Sequence, residues 1–329
     1  MKRIKLALTL ALLLISTQSF AEHTSSRPDY HAPIGVMRDH AHDKGELMMS
    51  YRVAYMKMKG IKSGTNRLTT NEALNSYMMA PTEMTMRAEM IGAMYGINNK
   101  LTVSAMVGAV EKTMNMLNRS GAKLKRESDG MTDSKINALY KIYAKKDTNL
   151  QLNLGVSLPT GSISKDNPSS NQRQNYPMQI GSGSYELLPG VSYSKFHDSF
   201  SYGAQVNASF KMNSNNYNYK LGDSYNATMW LAEKLNNAFS ISTRLDYTKS
   251  EAIEGLDTTL KPSMMAAADG SLLDGEKLDL AVGTNYIVSN GYFKGHRLAV
   301  EISRPIYQKT GGPLLENGYK AVAGWQKTF

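Results

Sequence analysis

The stretch from Phe200 to Met212 alternates strictly between apolar and polar side chains. In "FSYGAQVNASFKM" the even positions are apolar, and the odd positions carry serine, glycine, glutamine, asparagine and lysine. A period of two is the mark of a β-strand with one apolar and one polar face. Such a strand turns its apolar face either into a soluble core or outward to lipid, and the rest of the chain must distinguish the two.

Similar alternation recurs in segment after segment from Glu46 to the C-terminus. The twelve strand candidates are residues 46–59, 82–95, 101–114, 135–144, 150–158, 184–194, 200–212, 223–232, 239–249, 276–288, 297–307 and 319–329. Short connections alternate with mostly long ones, as in bacterial outer-membrane barrels with short periplasmic turns and long outer loops. The sequence therefore predicts an all-β fold: a single transmembrane antiparallel β-barrel of about twelve strands.

Aromatic residues on the apolar faces gather near both ends of the strands. Phe200 and Phe210, ten residues apart, are separated by roughly 25 Å of height in a tilted strand, the thickness of a lipid-facing band. We therefore expect the apolar faces to meet lipid and the polar faces to line a lumen, rather than a soluble sandwich or lipocalin-like barrel. The two girdles are Tyr95, Tyr193, Phe200, Phe239, Tyr286 and Phe329 toward the short turns, and Tyr55, Tyr185, Phe210, Tyr225, Tyr247 and Tyr319 toward the long loops.

The N-terminus, residues 1–21, has a basic start, an apolar run from Leu6 to Ile15 and small residues near Ala21. This pattern predicts a signal peptide cleaved after Ala21, since the apolar run is too short for a spanning helix. Residues 22–45 are then a periplasmic or lumen-plugging segment, and residues 46–329 form the barrel. The expected location is the outer membrane of a Gram-negative bacterium.

Loss of the signal peptide lowers the formal charge of +10 by three, to about +7. Export argues against nucleic acid as the partner of this basic chain. We expect outer-membrane lipid and lipopolysaccharide as partners instead, with Lys123, Lys125 and Arg126 as candidates for contact with an anionic surface. A solvated loop is the alternative interpretation of these three residues. No cysteine is present for a disulfide or a lipid anchor.

The last strand candidate ends the chain on an aromatic residue. Trp325 and Phe329 lie on the apolar parity of "YKAVAGWQKTF". This ending resembles the terminal signal that the barrel-insertion machinery reads, although Lys327 stands where an aromatic residue is often found. That machinery is therefore a further expected partner.

Four stretches resemble one family of outer-membrane barrels, the meta-pathway phenol-degradation proteins, often called transporters. They are "APIGVMRDHAHDKGELMMSYR", "YMMAPTEMTMRAEMIGAMYGI", "LNLGVSLPTG" and "YPMQIGSGSYELLPGVSYS". The resemblance covers essentially the whole mature chain. It implies a barrel and a transport role, with small aromatic or other organic compounds as permeants.

Charged residues of both signs fall on the parity assigned to the lumen. Such linings set permeant selectivity or form ion pairs across neighbouring strands, as Arg52 and Glu89 are expected to do. Neither sign dominates, so no anion or cation preference follows. The predicted lumen residues are Arg52, Glu83, Arg87, Glu89, Lys141, Glu186, Arg244, Asp246, Asp279 and Glu301.

Histidines and methionines suggest a metal site. His40 and His42 are two residues apart, with His31, Asp39 and Asp43 nearby. Imidazoles and carboxylates suit Cu(II), Zn(II) or Ni(II), and thioethers suit Cu(I). By parity Met84 and Met86 face lipid, whereas Met56, Met58, Met114 and Met116 face the lumen. Copper is therefore the one cofactor that the sequence suggests. The alternative to a metal site is that the histidines form hydrogen bonds and the methionines are flexible apolar filler.

No catalytic residues are predicted, because no strand centre carries a histidine and no phosphate loop, zinc-protease or dinucleotide motif occurs. Three functions follow for comparison. The first is a channel passing small solutes through a polar, mixed-charge lumen. The second is a copper-handling barrel that uses the histidines and methionines, and the third is a structural or adhesive surface barrel.

Overall fold

The computed structural model describes residues 27–145, 147–167 and 171–329. The expected signal peptide lies outside these residues. The strands are β1 (Leu47–Gly64), β2 (Asn66–Leu68), β3 (Met79–Gly96), β4 (Leu101–Asn118), β5 (Lys123–Met131), β6 (Ser134–Lys145), β7 (Thr148–Leu158), β8 (Glu186–Phe196), β9 (Phe200–Lys211), β10 (Tyr219–Lys220), β11 (Ser224–Lys234), β12 (Phe239–Ser250), β13 (Glu254–Gly255), β14 (Gly275–Ile287) and β15 (His296–Thr328). One helix, α1 (Thr70–Ser76), and 3-10 turns at Tyr176–Met178, Pro262–Met264, Ala266–Ala268 and Gly270–Leu272 complete the described structure. None of the helices described here is long and apolar enough to cross a bilayer.

Antiparallel pairing joins the long strands into a closed ring. The ring order is β1, β3, β4, β6, β7, β8, β9, β11, β12, β14 and β15, and β15 pairs back with β1. Eleven straight strands could not close in this way, because directions that alternate around a ring require an even number. β15 supplies the extra pass, since Arg297–Thr310 pairs with β14 and Thr310–Thr328 pairs with β1.

Side-chain contacts show that β15 doubles back on itself. Trp325 Nε1 donates to His296 Nδ1 at 2.9 Å, and the Arg297 guanidinium donates to the Gln326 side chain. The two ends of this long element therefore lie side by side. The barrel wall therefore consists of twelve antiparallel passes of the chain, which confirms the predicted all-β antiparallel barrel.

Strand β7 shows which face of the sheet meets the membrane. Its polar side chains at Gln151, Asn153 and Ser157 are at most 2% exposed, whereas Leu154 is 56% exposed. A soluble sheet would bury the leucine and expose the amides. The apolar faces therefore point outward and the polar faces point into the barrel, as the alternation predicted.

Both aromatic girdles lie on the outer surface. None of the twelve predicted residues is buried. Phe239 and Tyr286 meet at the short-turn end with ring centroids 4.6 Å apart, and Phe210 meets Tyr225 at the long-loop end at 6.1 Å. We call the short-turn end of the barrel inner and the long-loop end outer.

On one side of the barrel the strands extend further toward the outer end than the sequence predicted. Strands β3 and β4 have 18 residues each, although about 9–11 are enough to cross a bilayer. β5 pairs with the outer half of β4 and β6 with its inner half, so most of the predicted loop at residues 115–134 is a further hairpin arm. Nearby, Thr69 and Glu72 form a capping box that starts α1.

The three basic residues of β5 do not form one exposed patch. Arg126 is buried and donates to the Gln174 side chain at 3.2 Å, and Lys125 pairs with Glu127 at 2.5 Å. Arg126 is therefore unavailable to an anionic surface, in contrast to the expectation from sequence. Its side chain holds an outer loop against the extended hairpin.

We predict that Leu154→Arg destabilises the barrel in a bilayer by about 2–4 kcal/mol, because Leu154 lies on the lipid-facing side in the middle of β7. Urea titration of the protein refolded into lipid vesicles would measure the free energy of unfolding. Leu154→Ala is the matched control for loss of the leucine side chain. An arginine variant no less stable than the alanine variant would contradict the outward orientation of this face.

Candidate functional site

Residues 27–45, which we call the luminal segment, lie within the inner part of the barrel. The segment belongs to no strand, so its main-chain groups need other partners. Side chains from strands around the barrel wall provide them. Ser240 donates to the Pro28 carbonyl at 3.0 Å, Ser201 to Asp29 at 3.0 Å, Arg297 to Ala32 at 2.8 Å, Gln205 to Met37 at 2.9 Å and Gln151 to Arg38 at 2.8 Å.

Arg38 of the luminal segment is bonded to several strands of the barrel wall. Its φ of 60° lies in the left-handed region, which non-glycine residues seldom adopt. Its carbonyl accepts bonds from Gln151 and Gln205, and its guanidinium donates to Asn137 at 2.8 Å and Asn207 at 3.2 Å. The strained conformation is therefore stabilised by amide side chains on several strands.

Gly35 of the luminal segment lies against a buried ion pair of the barrel wall. Arg244 donates to both carboxylate oxygens of Glu301, at 2.7 and 3.1 Å, and approaches Asp246 at 3.0 Å. A Cβ atom at Gly35 would stand 2.1 Å from Glu301 Oε1 and 2.5 Å from Arg244 Nη2. Only glycine fits there unless the segment or the ion pair moves.

The luminal segment also contains a buried group of histidines. One ligand atom from each of His31, Asp39 and His40 lies within 4.8 Å of the others. The rings of His40 and His42 are 4.9 Å apart, and His42 Nδ1 lies 3.2 Å from the Glu46 carboxylate. These side chains form a compact cluster near the inner end of the barrel.

Burial and neighbouring charges determine the charge states in this cluster. Burial, His40 and Arg297 lower the pKa of His31 well below its usual value, so its imidazole is neutral. Burial by itself would raise the pKa of the Asp39 carboxyl, but the interaction with His40 and the hydrogen bond from the Ala32 N–H outweigh it and hold the pKa below its usual range. The cluster thus combines a neutral imidazole with an ionised carboxylate.

The outer end of the barrel interior carries an apolar cluster rich in methionine. It joins the inward faces of β3 and β4 to loops from the opposite side of the barrel. The Lys112 ammonium fixes one of these loops by donating to the carbonyls of Pro177 at 2.9 Å and Gln179 at 2.6 Å. The buried members are Met79, Met84, Met114, Met116, Tyr176, Met178, Tyr219, Ile253, Leu260, Met265, Ala267 and Ala268.

Arg173 ties the outer loops to one another. Its guanidinium forms an ion pair with the buried Asp257 and stacks 3.4 Å from the centroid of the Tyr217 ring. The main-chain N–H of Asp257 in turn donates to the Tyr176 hydroxyl at 3.1 Å. One arginine therefore joins three outer loops over the methionine-rich cluster.

A cavity of about 340 Å³ is lined both by the luminal segment and by barrel strands. Its cationic lining residues are Arg38, Arg52, Lys135 and Lys211, and its acidic lining residues are Asp39 and Glu186. Met37, Met48, Met106 and Leu188 supply apolar surface. The cavity thus combines an excess of positive groups with apolar walls.

Seven of the predicted lumen residues point into the barrel. Lys141 reaches Asp43 of the luminal segment at 2.5 Å, and Glu186 lies 3.6 Å from Lys211. Most of them form ion pairs within the wall or with the segment. The seven are Arg52, Lys141, Glu186, Arg244, Asp246, Asp279 and Glu301.

The other three, Glu83, Arg87 and Glu89, point outward, so their assignment to the lumen is wrong. Arg87 pairs across the sheet with Tyr55 of the outer girdle, and partners across a sheet share a face. Glu89 accepts from the Tyr51 hydroxyl at 3.1 Å and pairs with Arg87 at 2.6 Å. The expected contact between Arg52 and Glu89 does not form, because the two side chains lie on opposite faces.

The same parity places Met84 inside the barrel, where it is 4% exposed, in contrast to the expected lipid contact. Met86 shares its face. In the outer half of β3 the methionines fill the barrel mouth, and the charged residues pair with one another on the outer surface. Lys57, for example, lies 3.2 Å from Glu83. Hydrophobicity alone therefore gave the wrong face for this strand.

The structure separates the predicted metal ligands into two groups. His40 and His42 belong to the inner cluster, whereas Met58, Met114 and Met116 belong to or pack on the outer apolar cluster. Met56 lies on β1, nine residues from the inner end of that strand. The histidines therefore do not share a site with the methionines, and Met58, Met114 and Met116 pack against apolar side chains.

Four residues of the site are not among those that the sequence predicted. Lys135, Lys211 and Arg297 share the polar parity of residues that were identified, so the period-two pattern could have found them. Arg38 belongs to a segment without periodicity. No local signal marks its contacts with the barrel.

The sequence profile of the family described as "Putative MetA-pathway of phenol degradation" matches residues 61–251. No curated protein matches the sequence. A crystal structure of an outer membrane channel from Pseudomonas putida F1 is similar, with a TM-score of 0.65 and 12% identity, over 89% of this chain and 98% of that one. The transport unit of the autotransporter AIDA-I from Escherichia coli gives a TM-score of 0.52 and 9% identity, over 94% of this chain and 100% of that one.

We predict that Gly35→Ala releases the luminal segment while the barrel still forms, because the new methyl group collides with Arg244 and Glu301. Hydrogen–deuterium exchange should become faster in residues 28–42 and stay unchanged in the barrel strands. Lys44→Ala, an exposed position of the same segment, is the control and should leave exchange unchanged. Unaltered protection in the Gly35 variant would show that the segment does not depend on this close contact.

Proposed function

Because the chain belongs to the family of the MetA-pathway of phenol degradation, we propose that it is an outer-membrane channel for small organic solutes. The observation that carries this proposal is the 340 Å³ cavity inside the closed ring, bordered by the luminal segment. Cavities of about 300–1,000 Å³ suit small organic molecules. A solute in this cavity would have crossed part of the barrel without meeting lipid.

The cavity favours solutes that combine a negative charge with an apolar body. Four cationic side chains face two acidic ones, and one of the acids, Glu186, is engaged by Lys211. Methionine and leucine side chains provide contact for an apolar ring or chain. Small aromatic acids and phenolates have this combination, and the family description points to the same class of compound.

Passage requires the luminal segment to move. The segment is held mainly by hydrogen bonds from polar wall side chains, so water could replace these bonds as it leaves. The ring itself would stay intact, because none of its strand pairs includes residues 27–45. The outer loops, held by apolar contacts and by Arg173, form a second barrier.

No observation favours a copper-handling barrel based on methionine. Met114 and Met116 are at most 2% exposed and pack within the outer cluster. A role in adhesion stays an untested prediction. Conduction by the channel would not depend on such a role. His197 of an inner turn stacks on Phe200, and His296 at the start of β15 accepts a hydrogen bond from Trp325 Nε1.

We predict that the mature chain lacking residues 22–44 conducts in larger steps than the full mature chain in a planar bilayer. Removing the luminal segment widens the narrowest part of the pathway without removing a strand. Single-channel recording after refolding would measure the steps, and the heat-dependent shift of the folded barrel in gel electrophoresis would verify folding. Folded barrels that never conduct, with or without the segment, would refute the channel.

We further predict that Lys135→Gln and Lys211→Gln each shift the selectivity of the open channel toward cations. A charge about 8 Å from a permeant ion in a water-filled lumen changes its energy by about 0.5 kcal/mol, or roughly twofold in permeability. Reversal potentials in a salt gradient would report the change. Lys59→Gln, at an exposed position on β1, should have no effect, and an equal shift in all three variants would argue against the cavity as the selective region.

A further inference from the structure

We propose that His31, Asp39 and His40 form a binding site for one divalent transition-metal ion of the Zn²⁺ class, which fastens the luminal segment inside the barrel. Two imidazoles and a carboxylate form a common ligand set for such ions. The three ligand atoms already lie within 4.8 Å of one another. Neither the family description nor the proposed channel function requires this site.

The unpartnered nitrogens of the cluster are the first argument. His31 and His40 are 5% and 4% exposed, and buried polar groups in proteins normally have hydrogen-bond partners. Yet His31 Nδ1 and His40 Nε2 are buried without one. A bound cation would give these nitrogens the partner that the protein does not supply.

The spacing of His40 and Asp39 is the second argument. His40 Nδ1 lies 3.1 Å from Asp39 Oδ2, which is also an ion-pair distance when the imidazole is protonated. Two ligands about 2.0–2.1 Å from a tetrahedral zinc ion stand roughly 3.3 Å apart. This pair therefore also has the separation of two ligands of one ion, and the ligand atom of His31 lies within 4.8 Å of both.

The charge of Asp39 is the third argument. A buried carboxylate needs hydrogen bonds or a counter-charge. Asp39 accepts from the Ala32 N–H at 2.8 Å, and its ion-pair partner in the described part of the chain is the His40 ring at 3.1 Å, not Arg52 or Arg297. Arg297 instead donates to Ala32, Asn285 and Gln326. A divalent ion would compensate the carboxylate directly.

His42 is the nearest candidate for a fourth ligand. Its ring lies 4.9 Å from that of His40, and its Nε2 is buried without a partner. Its Nδ1 lies 3.2 Å from the Glu46 carboxylate. A metal-binding histidine commonly donates its second nitrogen to a carboxylate in this way, which fixes the orientation of the ring.

The position of the cluster suits a fastening role and access from the inner side. His31 and His40 are nine residues apart and frame the part of the luminal segment that contains Gly35 and Arg38. Tyr30 stacks on Phe196 at the inner end of β8, with ring centroids 5.3 Å apart. One ion would thus join both ends of this stretch and oppose its departure from the barrel.

The test is a zinc titration of the full mature chain without a histidine tag, refolded in detergent and first stripped with a chelator. Competition with a chromophoric chelator would give the Kd, and elemental analysis would give the stoichiometry. We expect one Zn²⁺ per chain. Loss of an outer-shell partner commonly weakens metal binding 10–100-fold, so His31→Ala and His40→Ala, which remove ligands, should each weaken it at least about tenfold.

His197→Ala is the matched control, because His197 is an exposed histidine of an inner turn, and it should bind zinc like the native chain. Asp39→Asn keeps the side-chain size if an alanine variant fails to fold, and it should also weaken binding. A folded native chain that binds no stoichiometric zinc would overturn the proposal. So would unchanged affinity in the ligand variants. Because the readout is bound metal, failure here is distinct from failure of the channel.

Discussion

The closed ring of main-chain hydrogen bonds is the constraint on which the rest of this structure depends. Lipid offers no partner to an N–H or a carbonyl, so a sheet can span a membrane only if it has no free edge. The first and last strands therefore meet, and the pairing continues to the chain end, where Leu47 and Phe329 exchange hydrogen bonds at 2.8 and 3.2 Å. The reversal within β15 follows from the same requirement, because only an even number of passes closes with every pair antiparallel.

Closure also reverses the usual relation between polarity and burial. The apolar side chains serve the lipid contact, so the interior receives the polar ones. Charged side chains in this interior need a partner of opposite charge. The Arg244 side chain, for example, is 3% exposed and forms ion pairs with Glu301 and Asp246. The luminal segment is accommodated by the same polar wall. Its carbonyls find donors wherever a serine, glutamine or arginine faces inward.

Much of this architecture could be predicted from the sequence, because the period-two pattern expresses the lipid contact directly. The pattern predicted the twelve passes of the barrel wall, the aromatic girdles and seven of the charged residues in the lumen. The pattern failed in β3, where residues 83–89 carry charged groups on one parity and methionines on the other. There the strand rises toward the outer end, the outward face can carry ion pairs, and the methionines fill the mouth. The rule that polar residues face the lumen therefore fails around the level of the outer girdle, where Arg87 pairs across the sheet with Tyr55.

The candidate site was less predictable, because its parts have no common period. The proximity of Arg38 to Asn137 and Asn207 depends on the path of a segment that is neither strand nor helix, and the grouping of His31 with His40 depends on a turn between them. Methionine, abundant in the sequence, suggested a metal site, and that suggestion stays an untested prediction. Its outer cluster is explained by packing alone.

The two barriers of the lumen differ in the physical basis of their stability. Net hydrogen bonds contribute about 0.5–1.5 kcal/mol each, since water replaces them when they break. The outer cluster gains instead from burial of apolar area, which water opposes. A hydrated lumen therefore weakens the inner contacts more than the outer ones. The luminal segment is thus the part that can move while the barrel stays folded. An ion bound by its histidines would stabilise this inner barrier, which is the weaker of the two.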